Sequence, residues 1–306
     1  MKKSFLPLLL LVTATFAGCS DTQTTTFTEA ADPTPLTAQQ AAAWGEVDSR
    51  LNVQWGSADL VYSRSTVPQP LFESSLVRGW QGEKVSAQLL IWTATGLSDV
   101  ECKISDFKGQ DITLPSSIAQ ARFVRYTIGD KRDKSCLCGR TNGHQPILQA
   151  DMLDNITSIN IDKNTTRPVW ITVDIPQDAP AGLYRAKVKV SHGGLGSVTL
   201  PLEVEVIGQQ LAEPAQWSYH LDLWQHPSAV ARVEGVEMWS NTHFEAMRPV
   251  MTMLADAGQK VITATLNRDP WRYQCFDDYE PMIYWTRYDD DVGRCRSEGY
   301  YSNAEP

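Results

Sequence analysis

A strand–helix–strand unit between residues 217 and 271 constrains the fold of this sequence more than any other stretch. One strand is predicted over residues 217–223 and a second over 260–266, with a helix between them. Two strands joined in this way run parallel, through a right-handed crossover. In parallel α/β folds, ligands bind at the carboxyl ends of the strands. The unit therefore predicts a ligand site just beyond these two strands.

Polar and aromatic side chains follow the end of each predicted strand. Asp222, Trp224 and Gln225 lie at the end of the first strand, and Asp269 and Trp271 lie after the second. Carboxylate and amide groups can form hydrogen bonds with hydroxyl groups, and an indole can stack on an apolar face of a ligand. The alternative is structural, with Trp224 closing the end of a barrel and Asp269 beginning a turn.

The helix of this unit has recognisable ends. Thr242 and Glu245 have the spacing of a capping box, so the helix is expected to begin there. Gly258 is placed where a left-handed residue would end the helix. Pro249 lies inside the span, which predicts a kink or a later start.

Residues 45–210 predict an antiparallel β-sandwich. Apolar and polar residues alternate repeatedly along this stretch, as in sheets with one buried face. The clearest hairpin spans residues 184–206, with a glycine-rich turn at 191–196. Its outward-facing charges are expected to pair across the strands, namely Lys187 and Lys189 with Glu203 and Glu205.

The amino terminus resembles the signal of a bacterial lipoprotein. A short basic start precedes an apolar run that is too brief to span a membrane. Residues 1–19 are therefore predicted to be a signal peptide with lipid attached at Cys19; ordinary secretion is the alternative. Residues 20–44 have few large apolar groups and are expected to be a flexible tether. The prediction is an exported, lipid-anchored protein of the cell envelope, in the outer membrane.

Composition and cysteine content exclude several classes of function. The 306 residues carry a net charge of −9, which argues against nucleic acid as a partner. Five cysteines remain after Cys19, so they cannot all pair within the chain. Cys136 and Cys138 have no second pair of ligands at zinc-like spacing. We therefore expect neither a metal nor a cofactor.

Several separate motifs occur in the order seen in one enzyme family. The first group falls in the predicted sandwich and the second in the strand–helix–strand unit: Gly79-Trp80, Glu83–Gln88, Arg167–Trp170, Pro180–Arg185, His220–Pro227, Val230–Arg232 and Leu254–Ala264. Over roughly residues 75 to 285, the sequence resembles glycoside hydrolase family 123, whose members include β-N-acetylgalactosaminidases.

The resemblance implies a fold, a substrate and a mechanism. The fold would be an N-terminal β-sandwich, a (β/α)8 barrel and a small C-terminal β domain. The substrate would be a glycan that ends in N-acetylgalactosamine. The 2-acetamido oxygen of the sugar would attack the anomeric carbon, so the enzyme would not use the usual two-carboxylate scheme. A neighbouring Asp-Glu pair would orient the acetamido group and supply the general acid/base.

The sequence departs from the family pattern near its end. Residues 211–285 are assigned to the start of an incomplete (β/α)8 barrel, and 286–306 to a disordered or aberrant tail. No segment matches the catalytic Asp-Glu pair, and a shifted reading frame or premature stop would explain the tail. We therefore expect an inactive form of the hydrolase, with no catalytic residue assigned. The alternative is a carbohydrate-binding lipoprotein without catalysis.

Overall fold

The described part of the chain contains three α-helices and twelve β-strands, with β-structure predominating. The computed structural model describes residues 27–47, 51–130, 146–194, 196–219, 221–223, 225 and 227–260. The helices are α1 (Ala38–Gly45), α2 (Pro227–Glu234) and α3 (Asn241–Asp256). The strands are β1 (Asn52–Gly56), β2 (Ser75–Gln81), β3 (Lys84–Thr93), β4 (Leu97–Ile104), β5 (Phe107–Lys108), β6 (Thr113–Leu114), β7 (Ala119–Asp130), β8 (Pro146–Asp154), β9 (Ser158–Ile161), β10 (Thr165–Asp174), β11 (Gly182–His192) and β12 (Gly196–Gln210).

The chain divides into two compact units. The larger unit contains the described residues of 1–79, 84–175 and 179–207. The smaller unit contains those of 208–306 together with the short segments 80–83 and 176–178.

Two antiparallel sheets share one core in the larger unit. The first has the strand order β1-β3-β10-β7-β8, and the main path of the second is β2-β12-β11-β4-β9. Alternate residues of β3, β10 and β11, such as Leu89, Ile171 and Val188, are fully buried in that core. Trp55 joins the sheets directly, because its indole N–H donates to the carbonyl of Pro201 at 3.0 Å. The predicted antiparallel β-structure is confirmed for these residues.

The predicted hairpin is confirmed, but its charge pairs are wrong. The observed register places Lys187 opposite Pro201 and Lys189 opposite Thr199. Glu203 instead pairs with Arg185, and Glu205 pairs with Arg78 on β2. The reason is that a register shift by any even number of residues keeps every side chain on the same face of the sheet, so alternation alone does not choose among such registers.

An ordered amino-terminal segment covers part of the outer face of the five-stranded sheet. Helix α1 begins with a capping box formed by Thr37 and Gln40. Its Trp44 is buried with Leu90 and Trp92 of β3 in a second apolar cluster. Residues 27–44 therefore differ from the expected tether, since apolar burial and a helix cap hold this segment.

Glu29 lies in a buried cluster of charges. Its carboxylate accepts hydrogen bonds from Arg167 Nη2 at 2.8 Å and from the backbone N–H of Tyr126 at 3.0 Å. Arg64 lies 3.3 Å from the same carboxylate, and Arg125 lies 3.4 Å from it. The Glu29 side chain is 10% exposed and that of Arg167 is 5% exposed. This carboxylate therefore joins the amino-terminal segment to strands β7 and β10.

The surroundings of Glu29 favour its ionised form. Burial alone would raise the pKa of this carboxyl group. The hydrogen bond and charge of Arg167, the N–H of Tyr126 and the charge of Arg125 act in the opposite direction and prevail. The pKa of Glu29 is thus lowered, and the group is ionised at neutral pH.

Cys102 on β4 is the cysteine that the described residues contain. It forms no disulfide, and burial raises the pKa of its thiol to about 12. The thiol is therefore protonated at neutral pH and is a poor nucleophile.

Candidate functional site

The candidate site begins with an aromatic turn in the smaller unit. A 3₁₀ turn over Pro214–Gln216 leads into Trp217, whose indole N–H donates to the carbonyl of Ala212 at 2.8 Å. The ring of Tyr219 stacks on Trp217, with centroids 5.2 Å apart. The strand predicted from residue 217 is therefore wrong at its start, because the backbone bends at Ser218 and Tyr219 and pairs with no other described strand there.

One parallel bridge follows this turn. Leu221 pairs with Gln259 in the parallel direction, as the strand–helix–strand prediction requires. The side chain of Gln259 also binds the backbone of Leu223: Oε1 accepts from its N–H at 3.1 Å, and Nε2 donates to its carbonyl at 3.3 Å. The predicted strand over 260–266 lies almost entirely outside the described residues. The predicted barrel is not shown.

Helix α3 confirms the predicted helix but not its start. Ser240 is the N-cap and accepts a hydrogen bond from the N–H of His243 at 3.2 Å. The predicted capping box of Thr242 and Glu245 is therefore wrong, and Glu245 instead forms an ion pair with Arg248 at 2.8 Å. Gly258 ends the helical region with φ +95°, as predicted.

A buried histidine of α3 holds the first residue of α2 in place. His243 is fully buried, and its Nδ1 accepts from the N–H of Trp239 at 2.9 Å. The proton must then lie on Nε2, which donates to the carbonyl of Pro227 at 2.8 Å. Both ring nitrogens are occupied, so His243 holds the start of α2 against α3 and does not act as a base.

Two of the predicted ligand-binding residues, Asp222 and Gln225, belong to the segment between the Leu221 bridge and α2. Asp222 has an exposed side chain. Gln225 Nε2 donates to the carbonyl of Leu223, while its Oε1 is buried without a donor among the described residues. An exposed carboxylate such as that of Asp222 can accept hydrogen bonds from hydroxyl or amide groups of a ligand.

The other predicted site residues lie outside the described residues. These are Trp224, Asp269, Trp271 and the lipidation site Cys19, whose roles stay predictions. Sequence reasoning missed Gln259 as the residue that holds the backbone of Leu223. Its position between a helix-ending glycine and a predicted strand is a signal that could have found it.

Metal-ligand clusters and membrane-spanning helices are both absent from the described residues. In this part of the chain, no three His, Cys, Asp or Glu side chains are grouped so as to hold a metal ion. No helix within the described ranges is long and apolar enough to cross a membrane.

Two models of one enzyme family match the chain. The glycoside hydrolase 123 N-terminal domain matches residues 55–192, and the glycoside hydrolase 123 catalytic domain matches residues 224–295. The first match falls on the sandwich, and the second covers Asp222's neighbours Trp224 and Gln225 together with α2 and α3. Together the two matches cover more than half of the chain. The comparison with curated proteins gave no match.

The chain also has the fold of a solved structure. It is similar to a family 123 glycoside hydrolase from Clostridium perfringens, studied for the details of glycolipid glycan hydrolysis, with 22% identity and a TM-score of 0.69. The match covers 78% of this chain and 42% of that one, so the chain spans less than half the length of that structure. Two weaker likenesses are to other proteins. A PapD-like domain of human CEP192 has 12% identity and a TM-score of 0.24, and the match covers 60% of this chain and 99% of that one. The N-terminal domain of PorA has 11% identity and a TM-score of 0.25, and the match covers 52% of this chain and 99% of that one.

Proposed function

Because the chain belongs to glycoside hydrolase family 123, we propose that it serves the hydrolysis of glycans that end in β-linked N-acetylgalactosamine. The observation that carries this proposal is the match of both family domains in order along one chain. The similar Clostridium perfringens enzyme is described as acting on glycolipid glycans, which supports a glycan as the substrate.

The proposed reaction uses the substrate as its own nucleophile. The 2-acetamido oxygen of the sugar attacks the anomeric carbon as the glycosidic bond breaks, and the leaving oxygen takes a proton from the general acid. Water then opens the resulting ring intermediate, with the same group acting as base. By resemblance to the family, a neighbouring Asp-Glu pair orients the acetamido group and transfers the proton.

None of the 306 residues matches that pair. Three acidic segments near the end of the chain are not the matching motif: Asp277-Asp278, Tyr279-Glu280 and Asp289–Asp291. We therefore propose that these 306 residues alone bind substrate without hydrolysing it. The bridge at Leu221 and the segment to Gln225 would then contribute substrate contacts only.

An assay with 4-nitrophenyl β-N-acetylgalactosaminide tests both parts of the proposal. The 306-residue chain alone is expected to release no nitrophenol above background, because it lacks the acid/base pair. A protein that joins these residues to a complete family catalytic domain is expected to hydrolyse the substrate. Failure of that longer protein to act on any β-N-acetylhexosaminide would contradict the proposed activity, and turnover by the 306 residues alone would contradict the proposed inactivity.

Asp222 is expected to contribute to substrate binding. In the longer, active protein, Asp222→Ala is expected to raise KM roughly ten- to a hundredfold, because a hydrogen bond to a charged group contributes about 1.5–3 kcal/mol. Asp256→Ala removes an exposed carboxylate from the end of α3 and is the matched control. Steady-state kinetics measures both variants. Unchanged KM and kcat in Asp222→Ala would show that this carboxylate does not contact the sugar.

A further inference from the structure

The five-stranded sheet carries a groove on its outer face, within the larger unit. Its volume is about 290 Å³, just below the range of about 300–1,000 Å³ that is usual for small-molecule sites. A space of this size suits a short ligand. Its lining includes Trp170, Gln88, Asp59, Leu60, Asp151 and Leu153.

An indole and an amide lie side by side on the floor of the groove. Trp170 on β10 and Gln88 on β3 are directly opposite each other across the two strands. The neighbours of Trp170 along β10, Val169 and Ile171, are fully buried between the sheets. Because successive residues of a strand point to opposite faces, the half-buried Trp170 must lie on the outer face. The other strand neighbour of Trp170, Arg122 on β7, does not line the groove.

The 57–61 loop, which forms one wall of the groove, is preorganised by hydrogen bonds. Gln88 Nε2 donates to the carbonyls of Ser57 at 2.6 Å and Leu60 at 3.0 Å. The hydroxyl of Tyr62 accepts from the N–H of Ser57 at 2.9 Å, and Ser57 Oγ accepts from the N–H of Asp59 at 3.1 Å. These hydrogen bonds fix the 57–61 loop, so binding would not have to order it.

The groove combines an apolar floor with acidic edges. Asp59 on the loop and Asp151 on β8 place an exposed carboxylate on each wall, next to the apolar side chains of Leu60 and Leu153. A sugar ring offers C–H groups on its faces and hydroxyl groups around its edge. Its faces suit an indole, and its hydroxyl groups donate well to carboxylates.

We propose that this groove of the larger unit is a glycan-binding subsite that holds a neutral sugar ring against Trp170 with Asp59 and Asp151 accepting its hydroxyl hydrogen bonds. The proposal rests on the glycan substrate inferred above but goes beyond hydrolysis. It gives the N-terminal sandwich a role in holding the glycan to the protein.

Binding to the 306-residue chain tests the proposal without requiring turnover. The probe is the methyl glycoside of a disaccharide in which N-acetylgalactosamine is β-linked to galactose, titrated by isothermal calorimetry. Trp170→Ala is expected to weaken binding at least tenfold, because it removes the stacking surface. Trp80→Ala removes an exposed indole from β2, outside the groove, and is expected to leave the Kd unchanged. Thermal unfolding of each variant establishes that it folds.

Asp151→Asn keeps the test decisive if Trp170→Ala does not fold, since Asp151 is exposed at the edge of the groove. It is expected to weaken binding about threefold. Binding that is unchanged in Trp170→Ala, or in Asp151→Asn where Trp170→Ala does not fold, would overturn the proposal. Loss of binding in Asp222→Ala alone would assign the sugar to the smaller unit and would also overturn it. Binding of a lysine-rich peptide in the groove, without binding of the disaccharide, would overturn it as well. Groove binding without hydrolysis in the longer protein would contradict only the proposed function.

Discussion

Replacing Glu29 by glutamine is expected to lower the free energy of unfolding of the larger unit by about 3 kcal/mol. The substitution keeps the shape of the side chain but removes the negative charge that three arginines share, Arg64, Arg125 and Arg167. Removing one partner of a buried ion pair is costly because the remaining charges stay buried without compensation. For a unit of this size, the midpoint of thermal unfolding should fall by roughly 10 °C.

The matched control is Glu205→Gln. This substitution also removes one carboxylate from a glutamate–arginine pair, but the side chains of Glu205 and Arg78 are 42% and 64% exposed. Water screens such a pair, so the control is expected to change stability by less than about 1 kcal/mol. Equal losses of stability in the two variants would show that the Glu29 cluster does not hold the amino-terminal segment more strongly than a surface ion pair does.

The same carboxylate predicts how stability depends on pH. The pKa of Glu29 is lowered in the folded chain. The ionised carboxylate therefore stabilises the fold fully at pH values above the pKa of the unfolded chain, which is about 4.3. This stabilisation is lost as the pH falls through the lower pKa that Glu29 has in the folded chain. The wild type and Glu29→Gln should therefore differ most near neutral pH and converge in acid. Urea unfolding at pH 7 and at pH 3 measures both differences.

Local patterns in the sequence predict the sandwich but not what covers it. Alternation and a glycine turn locate the hairpin of β11 and β12, because both signals lie within 25 residues. The amino-terminal segment has few large apolar residues, and this composition predicts a tether. It is held by groups that are far away in sequence: Arg167 lies 138 residues from Glu29. The capping box of Thr37 and Gln40 was the local signal that could have revealed α1.

In the smaller unit, too, local sequence patterns predict only part of the structure around the candidate site. The direction of the two chain segments at Leu221 and Gln259 follows from the crossover rule, and it could be predicted. The turn at Trp217 could not, because it depends on the stacking of Tyr219 and on a hydrogen bond to Ala212. Alternating residues from 217 to 223 resemble a strand whether or not another strand lies beside them.

Replacing Gly258 by alanine is expected to destabilise the region from Trp217 to Gln259 by about 3 kcal/mol. Gly258 has φ +95°, where an L-residue costs roughly 1–2 kcal/mol. A Cβ at this position would also lie 2.5 Å from Cε3 of Trp217, so the ring or the backbone would have to move at a similar further cost. The adjacent Gln259 holds the backbone of Leu223, so the displacement would reach Asp222 and Gln225.

Gly235→Ala separates the two causes. Gly235 follows α2 with φ +64°, and a Cβ there would have no heavy atom within 4 Å. This control carries the backbone cost without the collision, so it is expected to destabilise by only about 1 kcal/mol. Hydrogen exchange reports the effect locally at the amide of Gln259, which donates to the carbonyl of Leu254 at 3.0 Å. If both variants opened this amide equally, the contact with Trp217 would contribute nothing. The 221–225 segment would then be held by the Gln259 side chain and not by the packing of Gly258 against the indole.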